Sequence, residues 1–169
     1  MNAPRRAMVL CAGRGERMRP LSDTCPKPLL EIAGRSLLDR MLDRLVGCEQ
    51  VVVNAWHLAD RIAEHVAVRS GPPPIVLSRE DELLDTGGGV VHARHHLGDA
   101  PFVVCNGDVL ITQGNPTALD RLAAAWDDAA MDVLMLLQPR ERAGGFRGKG
   151  DFFRAEDGRL WRDRDALEM

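Results

Sequence analysis

Apolar runs rich in β-branched residues alternate along this chain with stretches of helical period. That alternation predicts the α/β class, a mostly parallel sheet flanked by helices. Residues 7–11 read as a buried first strand, with further strands at 51–54, 75–78, 102–105 and 133–137. Ser36 is placed to cap a helix in which Leu37, Leu38, Met41, Leu42 and Leu45 form one apolar stripe, ending near Gly47. The other predicted helices span 58–66, 90–97 and 116–130, the last with Pro116 near its first turn. Residues 12–30 form a long loop rich in Gly, Pro and charge, and long loops in compact domains are usually functional. From Gly144 the texture changes: four glycines precede Asp157-Gly158, which is flanked by two short runs at 151–155 and 159–162 and reads as a C-terminal β-hairpin.

At 169 residues, 45% of them apolar, the chain is long enough for one domain with one sizeable core. It divides into a main part at 7–140 and a short second part at 144–169. The net charge of -3 and the scattering of Lys and Arg among Asp and Glu leave no nucleic-acid footprint, so small-molecule partners are expected. The N-terminus fits neither a signal peptide nor a membrane span, and a cytoplasmic location is expected. Cys11, Cys25, Cys48 and Cys105 stand far apart with no CxxC pair, which argues for reduced thiols over a disulfide framework or a zinc knuckle.

The candidate chemistry begins where the first strand ends. In the stretch from Leu10 to Leu21, Gly13 and Gly15 let backbone N–H groups turn toward an anion, and Arg17 can hold phosphate oxygens in bidentate fashion. Alone, this is equally a surface turn. A dinucleotide GxGxxG would need glycine where Met18 stands, and a P-loop would need Gly-Lys-Ser/Thr after four residues, so both are excluded. Further on, Lys27 is locked between Pro26 and Pro28, which makes it a pre-placed charge.

The combined run of Gly-x-Gly-x-Arg, Pro20-Leu21 and Pro26-Lys-Pro-Leu29 resembles the sugar-1-phosphate nucleotidyltransferases. Molybdenum-cofactor nucleotidyltransferases share the opening but place their lysine closer. The resemblance implies a Rossmann-like fold of the nucleotide-diphospho-sugar transferase type, a single domain with 7–140 as its nucleotide-binding core and 144–169 as the start of its sugar-binding part. It also implies that a nucleoside triphosphate is joined to a sugar 1-phosphate with release of pyrophosphate, using Mg²⁺. Within it, the loop of Ala12, Gly13, Gly15 and Glu16 wraps the triphosphate, Arg17 holds the outgoing pyrophosphate, and Lys27 neutralises the reacting phosphates. The second Gly-rich turn, Leu84-Asp-Thr-Gly-Gly-Gly89, reads the base through the backbone of Asp85 and Thr86, with Gly87 and Gly88 giving room. Glu80 stands where a polar side chain helps to read it; a solvated acid in the run from Arg79 to Glu82 is the other reading. The wording of this turn resembles most the branch that uridylates N-acetylmuramic acid 1-phosphate in cell-wall recycling, with mannose-1-phosphate guanylyltransferases as the alternative.

Phe102-Val-Val-Cys-Asn-Gly-Asp108 carries a buried strand to a polar tip, and ligands of open α/β sheets gather outside the carboxyl ends of strands. One aspartate suits Mg²⁺, which takes one or two carboxylates plus phosphate oxygens, and the family uses the aspartate at this place, so Asp108 is the expected metal ligand. Asn106 orients the site on the sugar side. Gly150 and Asp151 resemble sugar contacts of the muramyl branch, and otherwise they start a hairpin. His92, His95 and His96 share a helical face but lack a Cys or Glu companion for zinc, and Trp56 and His57 receive no role. Family members continue beyond the hairpin toward a second metal-binding aspartate. A chain of this length is therefore expected to bind nucleotide yet transfer poorly or not at all, and to be marginally stable or prone to associate as a homo-oligomer.

Overall fold

The computed structural model describes residues 4–111, 114–145 and 147–162, which fall into two compact units, Met1–Asp132 and Val133–Met169. The first unit is built on β1 (Arg6–Leu10), β4 (Gln50–Ala55), β5 (Ile75–Arg79) and β6 (Val103–Asn106), all parallel and in the order β5-β4-β1-β6. A small antiparallel pair, β2 (Glu31–Ile32) and β3 (Arg35–Ser36), turns through Ala33 and Gly34, both left-handed in φ. This pair lies outside the elements the sequence predicts.

Strand alternation divides the core into two layers. Ala7, Val9 and Cys11 point with Val51, Val53 and Ala55 toward Leu38, Met41, Leu42, Leu45 and Ile62. Met8 and Val52 point the other way, toward Ala93 and Leu97. The residues 180° out of phase on one strand thus supply opposite cores, which is why these strands read as continuous apolar runs. The first face is covered by α1 (Leu37–Leu42), extended by a 3₁₀ turn, Asp43–Leu45, and by α2 (Ala59–Val68). Ser36 caps α1 as expected, its Oγ accepting from Asp39 N at 3.0 Å. The second face carries α3 (Asp85–His92) and α4 (Arg94–Leu97).

Three predicted elements differ. The second Gly-rich turn is the first part of α3, in which Gly89 is buried against Glu80 and Asn54. The helix predicted at 116–130 is α5 (Ala118–Ala125) only. Thr117 and Asp120 close a capping box at its start, while beyond its end Asp127 Oδ1 accepts from Ala129 N at 3.0 Å, a local bond that competes with continued helix. Residues 133–137 form no strand, since a strand needs a ladder partner and none pairs with them among the described residues.

The second unit contains the expected hairpin, β7 (Phe153–Arg154) and β8 (Leu160–Trp161). Gly158 takes a φ of 91° at its turn, Ala155 N donates to Arg159 O at 2.9 Å, and the Phe153 and Trp161 rings stack at 5.7 Å. Among the described residues no helix is long and apolar enough to cross a membrane.

Candidate nucleotide site

From β1 the chain steps to β4 and β5 on one side and then returns to β6 on the other, so the sheet reverses its winding between β1 and β6. Ligands of doubly wound sheets bind at such a point, outside the carboxyl ends of the strands. The register brings Leu10, Asn54 and Asn106 level there. A cleft of about 580 Å³ opens at this edge.

One wall of the cleft is the loop that leaves β1. Gly15 has a φ of 64°, and a Cβ on it would come within 3.2 Å of Ser22 Cβ and 3.3 Å of Lys27 Cβ. Only glycine suits both demands. Met18 N and Ser22 Oγ both donate to Gly15 O at 2.8 Å, folding the loop back upon itself. Trp56 and His57, to which the sequence assigned nothing, brace it from β4: the Arg14 guanidinium lies 4.9 Å from the Trp56 ring centroid, and His57 Nε2 meets Ser22 O at 3.1 Å. A tryptophan and histidine after a strand carry no signal until the loop is known to fold over them.

Lys27 begins a 3₁₀ turn, Lys27–Leu29, closed by Leu29 N donating to Pro26 O at 2.8 Å. Its Nζ donates to Asp108 Oδ2 at 2.6 Å across the cleft. Asp108 is held from behind. Gly107 N donates to Leu10 O at 3.0 Å, and a Cβ on Gly107 would lie 2.6 Å from Cys11 Sγ and 2.9 Å from Leu10 O. Complete burial, reinforced by the charge of Asp108, pushes the Cys11 thiol far above its ordinary range, so it is a packing group and no nucleophile.

The opposite wall is the start of α3. Asp85 takes a left-handed φ of 56°, and it lines the cleft together with Thr86 and Leu83. Gly87 faces open space, whereas a Cβ on Gly89 would meet Glu80 Oε1 at 2.8 Å and Asn54 Nδ2 at 3.0 Å. Glu80 is not the solvated acid of a charged run: it is 6% exposed and bonded to Asn54 and to Leu84 N.

Of the residues expected to form the site, Ala12, Gly13, Gly15, Glu16, Arg17, Lys27, Asp85, Thr86, Asn106 and Asp108 line this one cleft. Glu80 and Gly87 stand outside its lining, and Gly150 and Asp151 belong to the second unit. Asn54 was missed although it lines the cleft. Its signal was a lone polar residue closing the run Val51-Val-Val53.

A parallel open sheet with a glycine-containing loop at its switch point defines a doubly wound α/β domain. The sequence profile of the MobA-like NTP transferase domain matches residues 7–147, and the chain belongs to that family of nucleotidyltransferases. It is 44% identical to the N-acetylmuramate alpha-1-phosphate uridylyltransferase of Caulobacter vibrioides over 99% of this chain and 71% of that protein. The enzyme of the same name from Neisseria meningitidis serogroup B is 45% identical over 62% of this chain and 47% of its own length. Among solved structures, UDP-glucose pyrophosphorylase complexed with UDP-glucose superposes with a TM-score of 0.62 at 19% identity, over 72% of this chain and 52% of the other, which supports the fold. The chain thus spans between about half and about seven tenths of these proteins.

Proposed function

We propose that the cleft binds UTP with its triphosphate on the loop after β1 and transfers the uridylyl group to N-acetylmuramic acid 1-phosphate. The observation that carries this reading is the Lys27–Asp108 contact of 2.6 Å, made beside the loop amides and Arg17. A cation and a carboxylate held at the mouth of an anion-binding loop suit a reaction whose reactants are all phosphates.

The sugar phosphate is already anionic, so no side chain need remove a proton. One of its oxygens attacks the α-phosphorus of UTP in line. The new oxygen–phosphorus bond forms as the bond from the α-phosphorus to its bridging oxygen breaks, and pyrophosphate leaves with the electron pair. Lys27 neutralises charge on the reacting phosphates, and Arg17 with the loop amides holds the departing pyrophosphate. The backbone of Asp85 and Thr86 faces the pyrimidine, Gly87 leaves room for it, and Asn106 lies on the sugar side. Gly150 and Asp151 remain proposed sugar contacts.

Among the described residues no three or more His, Cys, Asp or Glu gather as a metal cage. A single carboxylate, Asp108, suits Mg²⁺ when phosphate oxygens complete the shell, and Asp108 would hold it. Mg²⁺ bound there supplies charge neutralisation on the triphosphate. A cytoplasmic location and a place in peptidoglycan recycling belong to the same reading.

Pyrophosphate release, measured for a panel of triphosphates against a panel of sugar 1-phosphates, tests it. UTP with N-acetylmuramic acid 1-phosphate is expected to give the highest rate. A higher rate from GTP with mannose 1-phosphate would overturn the choice of base and sugar.

A further inference from the structure

Asn54 is 2% exposed and sits at the carboxyl end of β4, level with Leu10 of β1. Both ends of its side chain are used. Its Oδ1 accepts from Cys11 N at 2.7 Å, the first amide of the phosphate-side loop. Its Nδ2 donates to Glu80 Oε1 at 2.7 Å, and Glu80 Oε2 accepts from Leu84 N at 3.3 Å, the residue before Asp85. The chemistry fixes the orientation of the amide. Cys11 N–H only donates, so it requires the oxygen, and a carboxylate that accepts on both sides requires the NH₂. Gly89 lies on this pair so closely that a Cβ there would reach 2.8 Å from Glu80 Oε1.

From this geometry we infer that Asn54 and Glu80 are positioning residues, a buried tie that sets the base-side wall at Leu84 and Asp85 against the phosphate-side loop. Glu80 acts through Leu84 and touches no ligand. Buried polar groups of this kind are costly to leave unpaired, so the tie holds only when every donor meets an acceptor. The inference rests on the proposed nucleotide reading of the cleft.

Reciprocal exchange tests it. Asn54→Asp sets two carboxylates face to face. Glu80→Gln sets an NH₂ group against either the Asn54 NH₂ or the Leu84 N–H, two donors with no acceptor between them. In the double variant all three bonds return, with only the central one, between positions 54 and 80, reversed in direction. The new carboxylate at position 54 accepts from Cys11 N–H and from the new amide at position 80, whose oxygen accepts from Leu84 N–H. Calorimetric titrations of the four proteins with UTP, GTP and inorganic tripolyphosphate, with thermal melts alongside, read the outcome. Each single variant is expected to bind UTP about tenfold more weakly, equivalent to about 1.4 kcal/mol, with a reduced preference over GTP. Tripolyphosphate binding is expected to stay within about threefold, because both single variants keep the acceptor for Cys11 N–H. The double variant is expected to regain the melting temperature and UTP affinity of the wild type. A double variant that melts normally yet lacks UTP preference would assign Glu80 to direct base contact and overturn the tie, even if a single variant fails to fold. Unchanged UTP binding in folded single variants would also overturn it. A wild-type chain that binds neither UTP nor tripolyphosphate would defeat the nucleotide reading itself.

Discussion

At the scale of single residues, the site stands on groups whose freedom is removed in advance. Lys27 is fixed by two prolines and a 3₁₀ turn before its ammonium reaches Asp108. Because its charge matters most as negative charge shifts toward pyrophosphate, Lys27→Ala is expected to lower kcat by about 10²- to 10³-fold while weakening UTP binding less than about tenfold. Steady-state rates beside calorimetric affinities check this, and equal losses in both would reject the role. Asp108→Asn keeps the shape of the strand tip but loses the charge, so Mg²⁺-dependent transfer should vanish while the melting temperature changes little; unchanged turnover would refute the assignment. Gly107→Ala acts on the same tip from behind. Its methyl would meet Leu10 O, which cannot move aside, and Cys11 Sγ. A loss of about 1–3 kcal/mol in urea unfolding is expected, together with reduced turnover. Lys27 and Asp108 were legible in the sequence because prolines and a strand tip are local signals. Asn54 was not, and Glu80 was legible only as a candidate reader of the base, because their pairing exists only once β1, β4 and the start of α3 are in register.

At the scale of elements, α1 is anchored at its first turn. Asp39 accepts from Ser36 Oγ at 2.9 Å, meets His65 Nε2 of α2 at 3.1 Å and accepts from Arg69 at 2.8 Å. Burial pushes its carboxyl upward, but the Ser36 hydrogen bond, the His65 charge and hydrogen bond, and the Arg69 hydrogen bond prevail and hold it below the usual range. A depressed native value means that the folded state binds the proton less readily than the unfolded chain. The stability it contributes is therefore present above the ordinary carboxylate pKa of about 4 and is lost as the pH falls through the lower native value. Asp39→Asn is expected to cost about 1.5–3 kcal/mol at pH 7, and the gap to the wild type should narrow below about pH 4. Urea melts between about pH 2.5 and pH 7 measure it; parallel curves for the two proteins would contradict the attribution. The helix and its Ser36 cap were readable from apolar spacing. The glycines of α3 were not, since glycine signals a turn unless a buried pair such as Asn54 and Glu80 lies beneath it.

At the scale of the whole molecule, the alternation of apolar runs with helical stretches was enough to place a parallel sheet between helices, and two faces of one strand feeding two cores explain why it was enough. Residues 133–137 show the limit of that reasoning, because an apolar run becomes a strand only beside a partner. The loop with its lysine and the aspartate, far apart in sequence, meet at one switch point, and the proposed transfer depends on that meeting. The transfer is followed most directly by ³¹P NMR of the wild-type chain with UTP, N-acetylmuramic acid 1-phosphate and Mg²⁺. UTP signals are expected to fall while those of the UDP-sugar and of pyrophosphate rise together in equal amounts. Release of orthophosphate without a UDP-sugar, or a spectrum that does not change although UTP is bound, would contradict the proposed reaction.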